Sequence, residues 1–388
     1  MTGDAALLIA SELRARRSPD GAFWVAPGFG HDYWSNVLGA PCRATVVVRS
    51  EDTADEPAAA TRLDGELIDV VALPPLRLAA SLPLDVARAL AILWRHDLPG
   101  VPMLRFPGIT PSLVLLVTVL RRRRYAVQVV GDPIDVAFRA GVGGRPGRIA
   151  GVAQWAILRF ACHRAAVCAY VTEGYLQRRY PPGPGATSLA VSNVVLGAPH
   201  GAARVRGEVH RLVTVASLDQ PYKRVDLLVE ALAVLRAEGW DLDLDIVGGG
   251  RLLGEIDEQC RRLGIDQHVE RHGSVEPGRV RELLRRADLF VLCSDTEGLP
   301  RALVEAMAEG LPCVASDVGG VPELLGPESR FEPGSLVGLI GALRRFLVSP
   351  TLREQAATRN LERATSFSRL AMAEARRELR AAVIGTRS

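Results

Sequence analysis

The segment Ser294-Asp295-Thr296-Glu297-Gly298-Leu299-Pro300-Arg301-Ala302-Leu303-Val304-Glu305-Ala306-Met307-Ala308 carries two structural signals in fifteen residues. Immediately before it, Ala287 to Cys293 is a short apolar run, partly β-branched and aromatic, which reads as a buried strand. Within it, Leu303, Ala306, Met307 and Gly310 fall at i, i+3, i+4 and i+7, the core-facing stripe of a helix. Pro300 suits the first helical turn, where a missing N–H is not missed, and Gly310 followed by Pro312 suits the stop. The segment is therefore strand, tight Gly loop and helix. The helix N-terminus lies at the carboxyl end of a parallel strand, where free N–H groups and the helix dipole bind anions.

Two carboxylates frame that end. Glu297 sits in the loop, and Glu305 lies about 200° around the helix from Leu303, at ~100° per residue, roughly opposite the core stripe. Either glutamate alone reads as a solvated residue; the pair, spaced around Gly298-Leu299-Pro300 after a strand, resembles the donor-site signature of glycosyltransferase family 4, retaining enzymes of the GT-B fold. That resemblance implies two facing, doubly wound, Rossmann-like α/β domains with a cleft between them. It implies a nucleotide sugar as co-substrate, UDP- or GDP-linked, with no other cofactor and no metal. Glu297 would hold the donor sugar hydroxyls and Glu305 the ribose, while the Gly298–Leu299 backbone beside Pro300 meets the diphosphate. Carboxylates accept hydrogen bonds from hydroxyls, and backbone N–H groups suit phosphate oxygens.

The chain has 388 residues, enough for two cores. With 48% hydrophobic and 23% charged residues it is globular, and a net charge of +3 gives no ground for a nucleic-acid partner. Basic residues are nearly all arginine, Lys223 being the only lysine. Six scattered cysteines without metal-type spacing read as reduced thiols of a cytoplasmic protein. The opening residues lack the basic start of a signal peptide. The longest apolar run, Ser112 to Leu120, is about half of the ~20 residues of a membrane helix. A soluble or peripheral protein is expected.

In the first half, residues 2–17 are expected to form a short helix and Phe23–Ala26 the first strand, running into the glycine-rich turn around Gly28 and Gly30. In the resembled family this position faces the donor diphosphate and the acceptor, which makes both glycines candidate site residues. Strands at 45–48, 67–72, 102–105 and 125–130 alternate with helices at 84–94 and 111–122, the rhythm of a parallel sheet with helices on both faces. Arg121 to Arg124 end an apolar helix; they read either as charge complementing a helix C-terminus or as a patch for anionic lipid head groups at the inner membrane face. Asp132 stands in a strand-end loop, where ligands bind in open α/β sheets. The family commonly has a histidine near this point; here Asp132 is the catalytic candidate, with Asp135 beside it. A helix over 148–167, a strand over 168–172 and a helix over 173–180 follow.

Small residues from Gly197 to Gly207 mark a linker. The pattern then restarts with a strand at 212–216 and a helical face from Val225 to Leu235. Between them lie Lys223, matching the family's diphosphate-gripping lysine, and Ser217, where the family usually has an arginine. Arg224 is the candidate to compensate. Asp241, Asp243 and Asp245 alternate with Leu242, Leu244 and Ile246, so a strand with one polar face is read here in place of a metal-binding aspartate pair. Gly249, in the Gly248–Gly250 loop, and His272, on the next strand, are placed near the nucleotide by the resemblance. The expected division is an acceptor domain over 1–200, a donor domain over 208–365, and a last helix over 366–388 that crosses back to the first domain.

The function this implies is transfer of a sugar from a nucleotide sugar to a hydroxyl-bearing acceptor, with retention at the anomeric carbon. The catalytic set is Glu297, Lys223 and Asp132. Two other readings of the same donor site are a GT-B pseudo-glycosyltransferase or epimerase and a non-catalytic nucleotide-sugar-binding subunit.

Overall fold

The computed structural model describes residues 7–26, 30–31, 33–34, 43–54, 60–76, 82–96, 98–138, 144–196 and 207–386. The first half contains strands β1 (Leu7–Arg17), β2 (Phe23–Val25), β3 (Ala44–Asp52), β4 (Thr61–Arg62), β5 (Ile68–Leu73), β6 (Val101–Phe106), β7 (Ala126–Val129), β8 (Val167–Tyr170) and β9 (Thr187–Ala190). Its helices are α1 (Leu82–Arg95), α2 (Ile109–Leu120), α3 (Pro133–Phe138), α4 (Gly144–Arg164) and α5 (Tyr175–Arg179). Seven strands pair in parallel in the order β5-β3-β1-β6-β7-β8-β9, while β2 and β4 add antiparallel to the far end of β1.

The second half forms a six-stranded, all-parallel sheet in the order β12-β11-β10-β13-β14-β15. The strands are β10 (Arg211–Val215), β11 (Asp243–Val247), β12 (Val269–Gly273), β13 (Leu289–Leu292), β14 (Cys313–Ser316) and β15 (Arg330–Phe331). Its helices are α6 (Val225–Ala237), α7 (Leu253–Arg262), α8 (Pro277–Arg286), α9 (Arg301–Ala308), α10 (Val321–Leu324), α11 (Leu336–Val348) and α12 (Pro350–Ala364), and the chain ends in α13 (Arg369–Gly385). In each sheet the strand order reverses beside the opening strand, at β1/β6 and β10/β13. Such switch points open a crevice at the carboxyl ends of the strands. The fold is thus the expected GT-B architecture.

Strands buried on both faces divide their side chains between two cores. Leu8, Ala10, Leu104 and Val127 face the layer formed by α1, α2 and α4, whereas Leu7, Ile9, Met103 and Ala169 face α13, whose Leu379 and Val383 are buried among them. The last helix therefore packs on the first sheet.

The expected helix over 2–17 is corrected. Residues 7–17 are β1, a strand between β3 and β6 in the middle of the sheet. Its Ala, Leu, Glu and Arg residues favour helix locally, but a ladder on both sides satisfies the backbone and buries Leu7 to Ser11. Phe23–Val25 is accordingly an antiparallel edge partner of β1 and not the first parallel strand. Gly28, the linker from 197 to 206, and Cys42 lie outside the described residues. The other five cysteines are buried and form no disulfide. Among the described residues no helix is long and apolar enough to cross a membrane.

The two halves meet through one acidic side chain in particular. The Glu323 carboxylate of α10 accepts the backbone N–H groups of Glu173 (2.6 Å), Gly174 (2.9 Å) and Tyr175 (2.5 Å), just ahead of α5. Arg363 of α12 reinforces the contact at 2.8 Å from the Glu173 carboxylate. Glu323→Ala is expected to lower stability by about 1–3 kcal/mol, the range for a lost charge-assisted hydrogen bond, and to loosen the domain contact. Urea unfolding and the radius of gyration from small-angle X-ray scattering check it; no change in either would contradict the role.

Candidate active site at the inter-domain cleft

The loop after β13 is built to present Glu297 to the cleft. Leu303, Val304, Ala306 and Met307 bury one side of α9 against β13 and β14, which fixes the helix, and Gly310 ends it at φ 72°. Pro300 stands immediately before the first helical residue, Arg301. The Glu297 side chain is only 9% exposed, and its Oε1 accepts from Ser294 Oγ and from Lys223 Nζ, both at 2.6 Å. Burial works to lower the Lys223 pKa, but the Glu297 charge and hydrogen bond outweigh it and hold the ammonium above its ordinary value. The single lysine of the chain is thus charged and held against the loop glutamate.

Glycine is required at two points around this loop. A side chain on Gly298 would come within 2.5 Å of the Val130 carbonyl oxygen in the first domain, so the loop touches the opposite domain through bare backbone. Gly319 has φ +54°, and a Cβ there would lie 1.8 Å from the Glu297 carbonyl oxygen. The Gly319-Gly320 turn supports the loop from below, Gly320 N–H donating to Gly298 O at 2.8 Å.

Beside the loop opens a cleft of about 860 Å³, in the size range of small-ligand sites. Ser217, Lys223, Gly249, Ser274, Glu297 and Glu305 line it, and Pro300 does so at the start of α9. Glu305 is 28% exposed and held 2.7 Å from Arg301 Nε. The far end is walled by Val280, Leu284 and an ion-paired group in which the buried Glu309 binds Arg285 at 2.8 Å and Arg281 at 3.4 Å. Ser217, Ser274, Arg281, Arg301 and Glu309 escaped the sequence reading. Only the i, i+4 spacing of Arg281 and Arg285 on α8 signals the last group in advance.

Several expected site residues are placed elsewhere. Arg224, in the left-handed region at φ 49°, turns away from this cleft and pairs with Asp226 at 3.1 Å and Asp295 at 3.5 Å. The tight turn leading into α6 leaves it no path back to the Lys223 side. His272 is held under the sheet, Nε2 2.9 Å from Asp245, which is fully buried and also bound by Arg211 at 3.1 Å. Asp245, Glu270 and His272 lie close enough to share an ion, but Arg211 already supplies the cation there. Asp132 is buried too. Tyr180 Oη donates to it at 2.7 Å, the Ile134 N–H at 2.8 Å, and Arg179 pairs with its other oxygen. Burial and then the Asp132 charge push the Tyr180 phenol well up, so it stays a donor. This carboxylate is spent on holding the loop that meets Gly298. Gly30 is packed onto β4, where a Cβ would meet Thr61 Cγ2 at 2.3 Å. Leu299 packs into both domain cores and plugs the gap between them.

Two facing doubly wound sheets, closed over a loop glutamate, a lysine and a helix N-terminus, define a GT-B glycosyltransferase. Residues 209–348 match the family described as Glycosyl transferases group 1, and the chain is a GT-B glycosyltransferase of that kind. It is 24% identical to Protein CapJ of Staphylococcus aureus over 345 residues, 88% of this chain and 86% of that protein. It is 34% identical to the MMP alpha-(1->4)-mannosyltransferase of Mycolicibacterium hassiacum over 145 residues, about a third of each chain (36% and 35%). Among solved structures, Alr3699/HepE of Anabaena in complex with UDP superimposes with a TM-score of 0.65 at 16% identity, covering 97% of this chain and 99% of that one. Sucrose-phosphate synthase of Thermosynechococcus elongatus gives 0.67 at 18%, covering 97% and 98%.

Because the Lys223 pKa is raised by folding, the stability it contributes is fully present below the unfolded value of about 10.4 and is lost as pH rises through the folded value. Lys223→Met is therefore expected to melt below the parent at neutral pH, with the gap constant from pH 6 to 9, about the range in which lysine stays charged, and narrowing in strong alkali. Melting curves across pH check this, and a gap that grows with pH would refute it.

Proposed function

We propose that the protein transfers a sugar from a nucleoside-diphosphate sugar to a hydroxyl of an acceptor held against the first domain, with retention at the anomeric carbon and without a metal. The observation that carries this is the Lys223–Glu297 contact at the start of α9, inside a cleft of nucleotide-sugar size. A bound donor would compete for both partners: diphosphate oxygens for the Lys223 ammonium, sugar hydroxyls for the Glu297 carboxylate. In the transfer step the bond from the anomeric carbon to the phosphate oxygen breaks and the bond to the acceptor oxygen forms on the same face. The acceptor's proton passes to the departing phosphate. Lys223 and the N–H groups opening α9 offset the charge that develops there, so the chain's contribution is positioning and charge stabilisation. Arg301, at the first turn of α9, is the nearest second cation where Ser217 replaces the family's arginine.

Glu305 is assigned to the ribose, and the wall of Val280, Arg281 and Leu284 to the base. The UDP and UDP-glucose complexes of Anabaena HepE support a uridine nucleotide, with guanosine the other candidate. Five buried cysteines without a disulfide support a reducing, cytoplasmic setting. The basic end of α2, Arg121–Arg124, is read as the edge of a surface that meets the inner membrane face.

A thermal-shift series with uridine, guanosine and thymidine diphosphates and their sugar conjugates tests the donor. A ligand at 100 times its dissociation constant adds about 2.7 kcal/mol. One nucleotide is expected to raise the melting temperature, and the shift to vanish in Lys223→Ala. Glu297→Gln is expected to cut turnover at least 100-fold, on the scale of one lost charge-stabilising group, while shifting the melting temperature little. Loss of stability in step with activity would make Glu297 structural. A rearranged donor without acceptor, or no diphosphate release when acceptor is added, would replace the transfer reading.

A further inference from the structure

The outer face of the first domain, away from α13, combines charge and apolar exposure in a way the donor site does not use. Helices α1, α2 and α4 lie side by side on one side of the sheet, their inner residues forming one core. Residues 82–164, which span them, contain twelve arginines, no lysine and four aspartates, a formal excess of eight positive charges in a chain whose total is +3. The three described aspartates, Asp85, Asp132 and Asp135, are buried, so no described carboxylate in this span reaches the surface to offset the arginines.

Large apolar side chains stand out among these charges. Leu84 is 62% exposed, Trp94 53%, Leu120 61%, Ile149 74% and Phe160 45%. Arginines stack on the rings, Arg121 on Trp94 (5.1 Å), Arg148 on Phe138 (5.6 Å), Arg159 on Trp155 (5.3 Å) and Arg164 on Phe160 (5.9 Å). The run at 121–124 contributes less than its sequence suggests. Arg121 and Arg123 are half-buried and bind main-chain oxygens of Trp94, and of Leu98 and Gly100, leaving Arg122 and Arg124 exposed. The larger share comes from α4, a helix of 21 residues with arginines and a histidine but no acid.

We infer that this three-helix face docks on an anionic lipid bilayer, with the exposed aromatic and aliphatic side chains entering the head-group boundary and the arginines pairing with lipid phosphates. Charge complementarity selects the partner. A single-sign basic field without surface acids fits an anionic sheet, and arginine stacked on tryptophan or phenylalanine suits the depth where water gives way to hydrocarbon. The exposed apolar groups distinguish this from a nucleic-acid surface, which would gain nothing from Ile149 or Leu84. Because α3 and α4 follow the carboxyl end of β7, the edge at Phe138 and Arg148 lies on the cleft side of the domain, so docking would hold the cleft close to the bilayer. The inference rests on charge and exposure alone and stands independently of the transfer reading.

Sedimentation with phosphatidylcholine vesicles, with and without phosphatidylglycerol, tests it in the absence of donor and acceptor. The full chain is expected to bind the anionic vesicles, to ignore the zwitterionic ones, and to release with added salt. Replacing Arg95, Arg145 and Arg148, all exposed, by glutamine is expected to weaken partitioning about five-fold each, the factor equivalent to ~1 kcal/mol per basic residue at an anionic surface, and on the order of 100-fold together. Ile149→Ser with Phe160→Ser is expected to remove the binding that survives salt, and Glu297→Gln to bind as the parent does. Circular dichroism verifies that each variant folds. No binding to phosphatidylglycerol vesicles at low salt, or equal binding by the triple arginine variant, would overturn the inference. So would tighter binding to a short DNA duplex than to vesicles through the same arginines.

Discussion

A lysine and a glutamate from distant loops, 2.6 Å apart, hold the donor side of the molecule in order. Glu297 is too buried to stay ionised on solvation alone, and its position depends on a cation and a hydroxyl brought to it. Lys223 comes from the turn after β10 and Ser294 from the end of β13, so the pair ties the two strands at the switch point. With Glu297 fixed, the Gly298-Leu299-Pro300 link can only lead into α9, and the N–H groups opening that helix face the cleft. The same contact keeps both charges in place before any ligand arrives, which is the form of preorganisation that charge stabilisation needs.

The first domain answers this loop with backbone and not with a reactive side chain. Val130 presents its carbonyl to Gly298, and the strand-end loop behind it is braced by Asp132, Arg179 and Tyr180, with Asp135 bound by Tyr175. Asp132 thus sits at the position where a catalytic acid is sought, yet its oxygens are engaged in supporting the loop. Below, Glu323 gathers three N–H groups of the first domain, and Leu299 fills the space between the cores. The cleft owes its shape to these contacts across the domain boundary.

How much of this was legible depended on how local the cause was. The strand, Gly loop and helix around Glu297 were readable because apolar spacing, a proline at the helix start and a glycine at its end are all short-range signals. The alternation of Asp243 and Asp245 with Leu244 and Ile246 likewise showed β11 as a strand with one polar face. Residues 7–17 misled for the converse reason. Their helix-favouring composition is a weak local preference, outweighed by hydrogen bonding to strands that arrive 27 and more residues later.

The sequence by itself determined the two-domain α/β architecture, the donor-side signature and the pairing of Lys223 with the glutamate loop in function, since each follows from residue type and spacing along a few turns of chain. Only the tertiary structure decided that Arg224 faces away from the cleft, that His272 serves a buried aspartate, and that Arg281 and Glu309 wall the donor cleft. It also decided that α1, α2 and α4 merge their arginines into one face. Side-chain direction on a loop is set by the backbone angles of its turn and by partners far along the chain, and neither leaves a mark in the local pattern.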